Sequence, residues 1–108
     1  HGDRIVLAHV DEFGVQGFAS IRVFAPDAEL MRIAVGLGSR REGVGSRLLA
    51  AVEDAARNRG AERLLLEVAS DNDSALTFYA KSSYRETGRR RYYYKSGADA
   101  LLMERDLR

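Results

Sequence analysis

The sequence predicts a mixed α/β domain built as an antiparallel meander, a strand–helix–strand unit, a short helix and a terminal hairpin. Three observations carry that reading. From Val15 to Phe24 the residues are small or apolar at alternate positions, the period of a strand with one buried face. Between Val44 and Asn58 the apolar period becomes helical, and the run Leu64-Leu65-Leu66-Glu67-Val68 follows closely, as a buried strand parallel to the one before the helix would. The last third alternates again around Lys95-Ser96-Gly97.

In order, Ile5 to Val10 is a β-type run, Asp11-Glu12-Phe13-Gly14 supplies turn chemistry, and Val15 to Phe24 returns as the second arm of a hairpin. Ala25-Pro26-Asp27-Ala28 holds the only proline and delivers the chain to a third strand, Leu30 to Val35. In the helix, Val44, Leu48, Leu49, Val52, Ala55 and Ala56 share one face while Arg47, Asp54 and Arg57 point away. Glu53 and Arg57 are spaced as an i,i+4 ion pair, and Gly60 is placed to end the helix. Glu67 is conspicuous within its apolar run. Ser70-x-x-Asp73 has the spacing of a capping box, with Asp71 and Asn72 as rival caps for a helix from Asp73 to Lys81. Tyr84 to Tyr94 and Ala98 to Leu107 then read as two strands.

At 108 residues the chain is a single domain, with 17 basic against 16 acidic residues and no cysteine. That balance gives no support to bulk nucleic-acid binding. The missing cysteines exclude disulfides, thiolate metal sites and a cysteine nucleophile, and are compatible with a reducing cytoplasm. No apolar run approaches the roughly 18 residues of a membrane span, and no signal peptide opens the chain, so a soluble protein is expected. The opening His1-Gly2-Asp3, with the first methionine at Met31, reads as a processed or trimmed end.

The stretch that bears most on function is the loop entering the first helix, Arg40-x-x-Gly43-x-Gly45. Glycines let backbone N–H groups approach a ligand, and a first helical turn leaves such donors unpartnered at the positive end of the helix dipole. Together with Arg40 and Arg41 this is an anion site suited to a pyrophosphate. The spacing alone equally fits a close-packed helix entry with solvated arginines. It is not the dinucleotide fingerprint, which needs three glycines after a first strand, nor a Walker loop, which needs Gly-Lys-Ser/Thr.

Taken together, Ile33-Ala34-Val35, Arg40-x-x-Gly43-x-Gly45, Leu66-Glu67-Val68, Asn72, Tyr79 and the ending Arg91-Tyr92-Tyr93-Tyr94…Asp99-Ala100-Leu101-Leu102-Met103 resemble the GNAT acetyltransferases, most of all the ribosomal-protein alanine N-acetyltransferases of the RimI type. The resemblance implies a mixed, mostly antiparallel sheet splayed between two parallel strands and flanked by two helices. It implies acetyl-CoA as co-substrate and a protein or peptide N-terminus as acceptor. It places pantetheine and thioester along Ile33, Ala34 and Val35, the pyrophosphate on Arg41, Glu42, Gly43, Val44, Gly45 and Ser46 with Arg40 beside them, and Asn72 on the pantetheine arm. By the same resemblance Glu67 is the general base and Tyr79 the general acid, and no metal is required.

The chemistry fits those roles. An α-amine must lose a proton before attacking a thioester, a carboxylate can take it directly or through water, and burial would tune that carboxylate. A tyrosine hydroxyl can protonate the departing thiolate, and a strand N–H can polarise the carbonyl. Against this, a glutamate in an apolar strand is commonly salt-bridged to an arginine, and a helical tyrosine is commonly core. His1 and His9 are isolated and have no catalytic setting. Arg89-Arg90-Arg91 beside Tyr92-Tyr93-Tyr94 has the composition of an RNA-stacking surface, but strand alternation would divide it between a wet and a packed face. A homodimer is left open.

Three departures from the family pattern carry expectations. Gly36-Leu37-Gly38-Ser39 replaces the usual Asp-Pro and aromatic, which predicts a looser loop. Ser83 stands where the family has glycine, so it must take a positive φ or reshape the turn. The strand and two helices that normally precede Ile5 are not in the sequence, which predicts an incomplete acceptor groove or a trimmed acyl-CoA-binding module.

Overall fold

The computed structural model describes residues 2–36 and 43–108. Its elements are β1 (Asp3–Asp11), β2 (Gly14–Phe24), β3 (Asp27–Val35), α1 (Val44–Asn58), β4 (Arg63–Ala69), α2 (Asp73–Lys81), β5 (Arg85–Arg90) and β6 (Ala100–Asp106). The strands run in the order β1-β2-β3-β4-β6-β5, so β3 and β4, joined through α1, are neighbours. A helical crossover between adjacent strands makes them a parallel pair in an otherwise antiparallel sheet. The chain divides into two compact units, His1–Leu64 with Leu107–Arg108, and Leu65–Asp106.

In the first unit β1, β2 and β3 form the expected meander. The first turn is closed where the Asp11 carboxylate accepts from the Phe13 N–H at 2.8 Å. Between β2 and β3 the pairs run Ser20↔Arg32 and then Ile21↔Leu30, which makes Met31 an extra residue in β3. The bulge changes which residues face inward. Ala28 and Leu30 pair with buried Val23 and Ile21, whereas beyond the bulge Ile33 and Val35 pair with buried Ala19 and Gly17. Directly paired residues share a face, so the inward set passes from even to odd numbers.

Helix α1 lies on that face and contacts all three strands. Val44, Leu48, Leu49, Val52 and Ala56 are at most 3% exposed. Burying each larger side chain is worth about 1.5–3 kcal/mol, so packing more than propensity holds the helix. Its end is a Schellman motif: the Ala61 N–H donates to the Ala56 carbonyl and the Gly60 N–H to that of Arg57, both at 3.0 Å, with Gly60 at φ 88.

One expected pair is not formed. Arg57 binds Asp54 at 2.9 Å, and its Nε donates to the Leu107 carbonyl at 2.7 Å. Glu53, expected as its partner, is only 4% exposed and lies among the buried side of α1. A carbonyl brought in from the far end of the chain, unknowable from helical spacing, captures the guanidinium.

The second unit holds β4 from Leu65 onward, α2, β5 and β6. Helix α2 also ends in a Schellman motif, with Tyr84 N–H donating to Tyr79 at 2.9 Å and Ser83 N–H to Ala80 at 3.1 Å. Ser83 takes the left-handed position at φ 74, so the turn is kept at a conformational cost. The terminal hairpin is shorter than its alternation suggests. Pairing runs from Arg85↔Glu104 to Arg90↔Ala100, and Arg91 to Asp99 are loop instead of strand. Tyr92 turns to φ 51 and gives its N–H to the Asp99 carboxylate at 2.9 Å, which diverts the backbone from the ladder. The Arg89–Tyr94 run is therefore not split into two strand faces.

Candidate functional site

The predicted residues fall on two sets of elements. In the first unit, Ile33, Ala34 and Val35 are the last residues of β3, paired with Ala19, Phe18 and Gly17. The Gly36 N–H donates to the Gln16 carbonyl at 2.8 Å, fixing where the strand ends. Arg40, Arg41 and Glu42 lie outside the described residues. The chain is described again at Gly43, the N-cap of α1, in left-handed geometry at φ 75. Val44 is buried and anchors the first turn in the core, while Gly45 is half-buried and Ser46 exposed.

The two helix starts differ in a way that bears on ligands. Helix α1 has no side-chain cap and no acidic residue in its first turn. Helix α2 has both: the Asn72 Oδ1 accepts from the Ala75 N–H at 3.2 Å, and Asp73 lies in its first turn. Among the described residues, then, no side chain caps the start of α1 and no carboxylate lies in its first turn, so its N–H groups and the positive end of its dipole suit an anion.

Gly17 is a site-building residue that sequence reasoning did not single out. A Cβ there would lie 2.8 Å from the Ala34 carbonyl oxygen, 2.9 Å from Leu48 Cδ1 and 3.3 Å from Val44 Cγ1. Its bare backbone lets the first turns of α1 approach the end of β3. The signal was present in the small residues at alternate positions of β2, Gly17 and Ala19.

In the second unit, Glu67 lies on β4 between Leu66 and Val68, which are 5% and 4% exposed. The run that looked uniformly apolar alternates, because the pleat sends Glu67 to the face opposite those two side chains. Its carboxylate is not buried, contrary to expectation: the side chain is 31% exposed and Oε1 lies 3.6 Å from Arg90 Nε. A salt bridge with arginine is thus real, and it leaves Glu67 open to an incoming group.

Asn72 prevails over Ser70 and Asp71 as the cap of α2, and it also accepts from the Ser74 hydroxyl at 3.3 Å. Both bonds use Oδ1, which leaves the amide NH₂ directed to neither. Tyr79, on α2, is 7% exposed and meets the rings of Phe78 and Tyr84 edge-on at 5.1 and 5.7 Å. Burial pushes its phenol pKa above the ordinary value. It therefore keeps its proton through neutral pH, as both a core residue and an acid would.

Among the described residues no group of His, Asp or Glu is arranged to hold a metal ion, and no helix is long and apolar enough to cross a membrane.

The sequence model of the acetyltransferase (GNAT) family matches residues 2–84. The chain belongs to the GNAT acetyltransferase family. The N-alpha-acetyltransferase RimI of Mycobacterium tuberculosis is 44% identical over 79 residues, spanning 72% of this chain and 48% of that relative, so the match covers about half of the relative's length. The [ribosomal protein bS18]-alanine N-acetyltransferase of Escherichia coli is 32% identical over 106 residues, covering 94% of this chain and 72% of that protein. The crystal structure of the ribosomal-protein-S18-alanine N-acetyltransferase from Escherichia coli matches with a TM-score of 0.88 at 30% identity, covering 99% of this chain and 72% of that one. The GNAT fold expected from the motifs is thus the fold found, including the neighbouring β3 and β4 and a helix after each.

Proposed function

We propose that this GNAT chain transfers the acetyl group of acetyl-CoA to a primary amine, the N-terminal α-amine of a protein, with the alanine of a ribosomal protein as the acceptor. The contrast between the two helix starts carries the cofactor half of this reading. Where α2 is capped and acidic, α1 is entered through Gly43 with neither feature, as a pyrophosphate site requires. The acceptor half rests on relatives named as alanine N-acetyltransferases.

In this mechanism the first turn of α1, Gly43 to Ser46 with the preceding Arg40, Arg41 and Glu42, holds the pyrophosphate. The backbone of Ile33 to Val35 aligns the pantetheine and polarises the thioester carbonyl, and the Asn72 amide adds a donor to the pantetheine arm. Glu67 takes a proton from the acceptor ammonium, the amine attacks the carbonyl carbon, and Tyr79 gives its proton to the sulfur as the C–S bond breaks. The nitrogen gives up its second proton as the amide forms, which restores the Tyr79 phenol through solvent, and Glu67 returns its proton to water. The products are an N-acetylated terminus and CoA thiol. We place the reaction in the cytoplasm, in keeping with a chain that has no cysteine.

Incubation with acetyl-CoA and a panel of N-terminal peptides, with CoA binding followed by calorimetry, tests the proposal. Turnover with alanine-starting peptides is expected. Binding without turnover on any peptide would reduce the protein to an acyl-CoA-binding module, and absence of both would overturn the reading.

A further inference from the structure

The near half of the loop between β5 and β6 is hydrogen-bonded to one residue, Asp99. Asp99 Oδ1 accepts from the Tyr92 N–H at 2.9 Å and Oδ2 from Arg89 Nη1 at 3.1 Å. Its backbone is bound as well: the Asp99 N–H donates to Ser70 Oγ at 3.0 Å, and its carbonyl accepts from the Ser70 N–H at 2.8 Å. Ser70 directly follows β4 and lies two residues before the Asn72 cap. One residue therefore joins the loop, the root of β5 and the β4–α2 corner.

Arg90, the last residue of β5, links that loop to Glu67. Arg90 Nε is 3.6 Å from Glu67 Oε1, and the Arg90 guanidinium lies 5.3 Å over the Tyr93 ring. Tyr93 in turn meets Tyr94 edge-on at 5.2 Å. Tyr92 and Tyr93 are 79% and 52% exposed, so the core makes little use of their rings. Beyond Asp99, the loop's own bonds are confined to its far half, where Gly97 N–H donates to Tyr94 and Tyr94 N–H to Ala98.

We propose that Asp99 is a positioning residue for the acceptor: by clasping Tyr92 and Ser70 it holds the loop tyrosines as a preformed wall beside Glu67, against which the acceptor's first residues lie. The inference rests on Glu67 receiving the acceptor's proton. Without the clasp the near half of the loop has to be ordered by the acceptor itself, and that cost appears in acceptor affinity and not in the chemical step.

The test compares the parent with Asp99→Ala, Asp99→Asn and Ser70→Ala. The readouts are KM for peptide, KM for acetyl-CoA, kcat, melting temperature, and peptide affinity of the CoA-loaded protein by calorimetry. Asp99→Ala is expected to raise peptide KM and Kd by about tenfold with kcat, acetyl-CoA KM and melting temperature near parental. Asp99→Asn, which keeps an acceptor for the Tyr92 N–H, recovers part of the loss, and Ser70→Ala gives a smaller one. Unchanged peptide KM and Kd in Asp99→Ala would overturn the proposal. So would a parallel fall in melting temperature, CoA affinity and kcat across the set, which would make Asp99 a brace for the fold. Calorimetric peptide affinity answers the question in a protein without turnover, and parental turnover in Glu67→Gln separates failure of the base assignment from failure of the clasp.

Discussion

Glu67 and Arg90 form an ion pair at 3.6 Å in which both side chains remain partly exposed, at 31% and 55%. A pair this open contributes at most about 1 kcal/mol, far less than the 3–5 kcal/mol at stake when a fully buried pair is broken. Any large effect of removing the Glu67 charge therefore belongs to chemistry and not to folding. Glu67→Gln should lower kcat by about 10²–10⁴-fold with CoA affinity and melting temperature close to parental. A parental rate in the stable variant would take Glu67 out of the mechanism.

Tyr79 is expected to behave as an acid whose proton is held by burial. Tyr79→Phe keeps the ring among Phe78 and Tyr84, so the rate should fall by about 10²-fold while the fold is retained. Because the folded phenol's pKa lies above its ordinary value of 10.0, the unfolded chain ionises first. Stability is undiminished below that value and is lost as pH rises through the folded pKa. Parent and Tyr79→Phe should thus diverge in denaturant titrations only above about pH 10, the parent losing stability more steeply. Equal rates in the two proteins would leave Tyr79 as a core residue.

At the start of α1, Gly45→Val adds bulk where the backbone is to meet a pyrophosphate. Valine is no worse a helix former than glycine, so helix content should survive. CoA affinity should fall by about tenfold or more, roughly 1.4 kcal/mol. Parental affinity by calorimetry would show that the anion site lies elsewhere.

Gly60 and Ser83 occupy the same position of the same helix-ending motif, at φ 88 and φ 74. For a residue with a Cβ that conformation costs about 1–2 kcal/mol, partly offset by the greater freedom glycine loses on folding, about 0.5–1 kcal/mol. Ser83→Gly should therefore stabilise the protein by about 0.5–1 kcal/mol, a rise of a few degrees in melting temperature. An unchanged or lowered melting temperature would mean that the serine hydroxyl compensates for the strained backbone.

Much of this protein was legible because its signals are local. The bounds of both helices, Val44–Asn58 and Asp73–Lys81, follow from apolar spacing and from capping by Asn72, Gly60 and Ser83, each acting within one turn of its own position. The meander follows from alternation and from turn chemistry at Asp11 to Gly14, and the neighbouring β3 and β4 from the length of the helical crossover between them. What only the tertiary structure decided are matters of register and of partners distant in sequence. The extra residue at Met31 turns Ile33 and Val35 to the α1 side, and nothing in the residue types announces it. Gly17 matters because Ala34, Val44 and Leu48 converge on it. Arg57 abandons its helical neighbour Glu53 for Asp54 and a carbonyl at Leu107, and Asp99 ends the last hairpin early by taking the Tyr92 N–H and Ser70. Glu67 looked buried because its neighbours in sequence are apolar; the pleat of β4 sets it apart from Leu66 and Val68 and brings it to Arg90. Local propensity fixes which residues form an element, whereas the face a side chain occupies and the charge it meets depend on pairing between segments far apart in the chain.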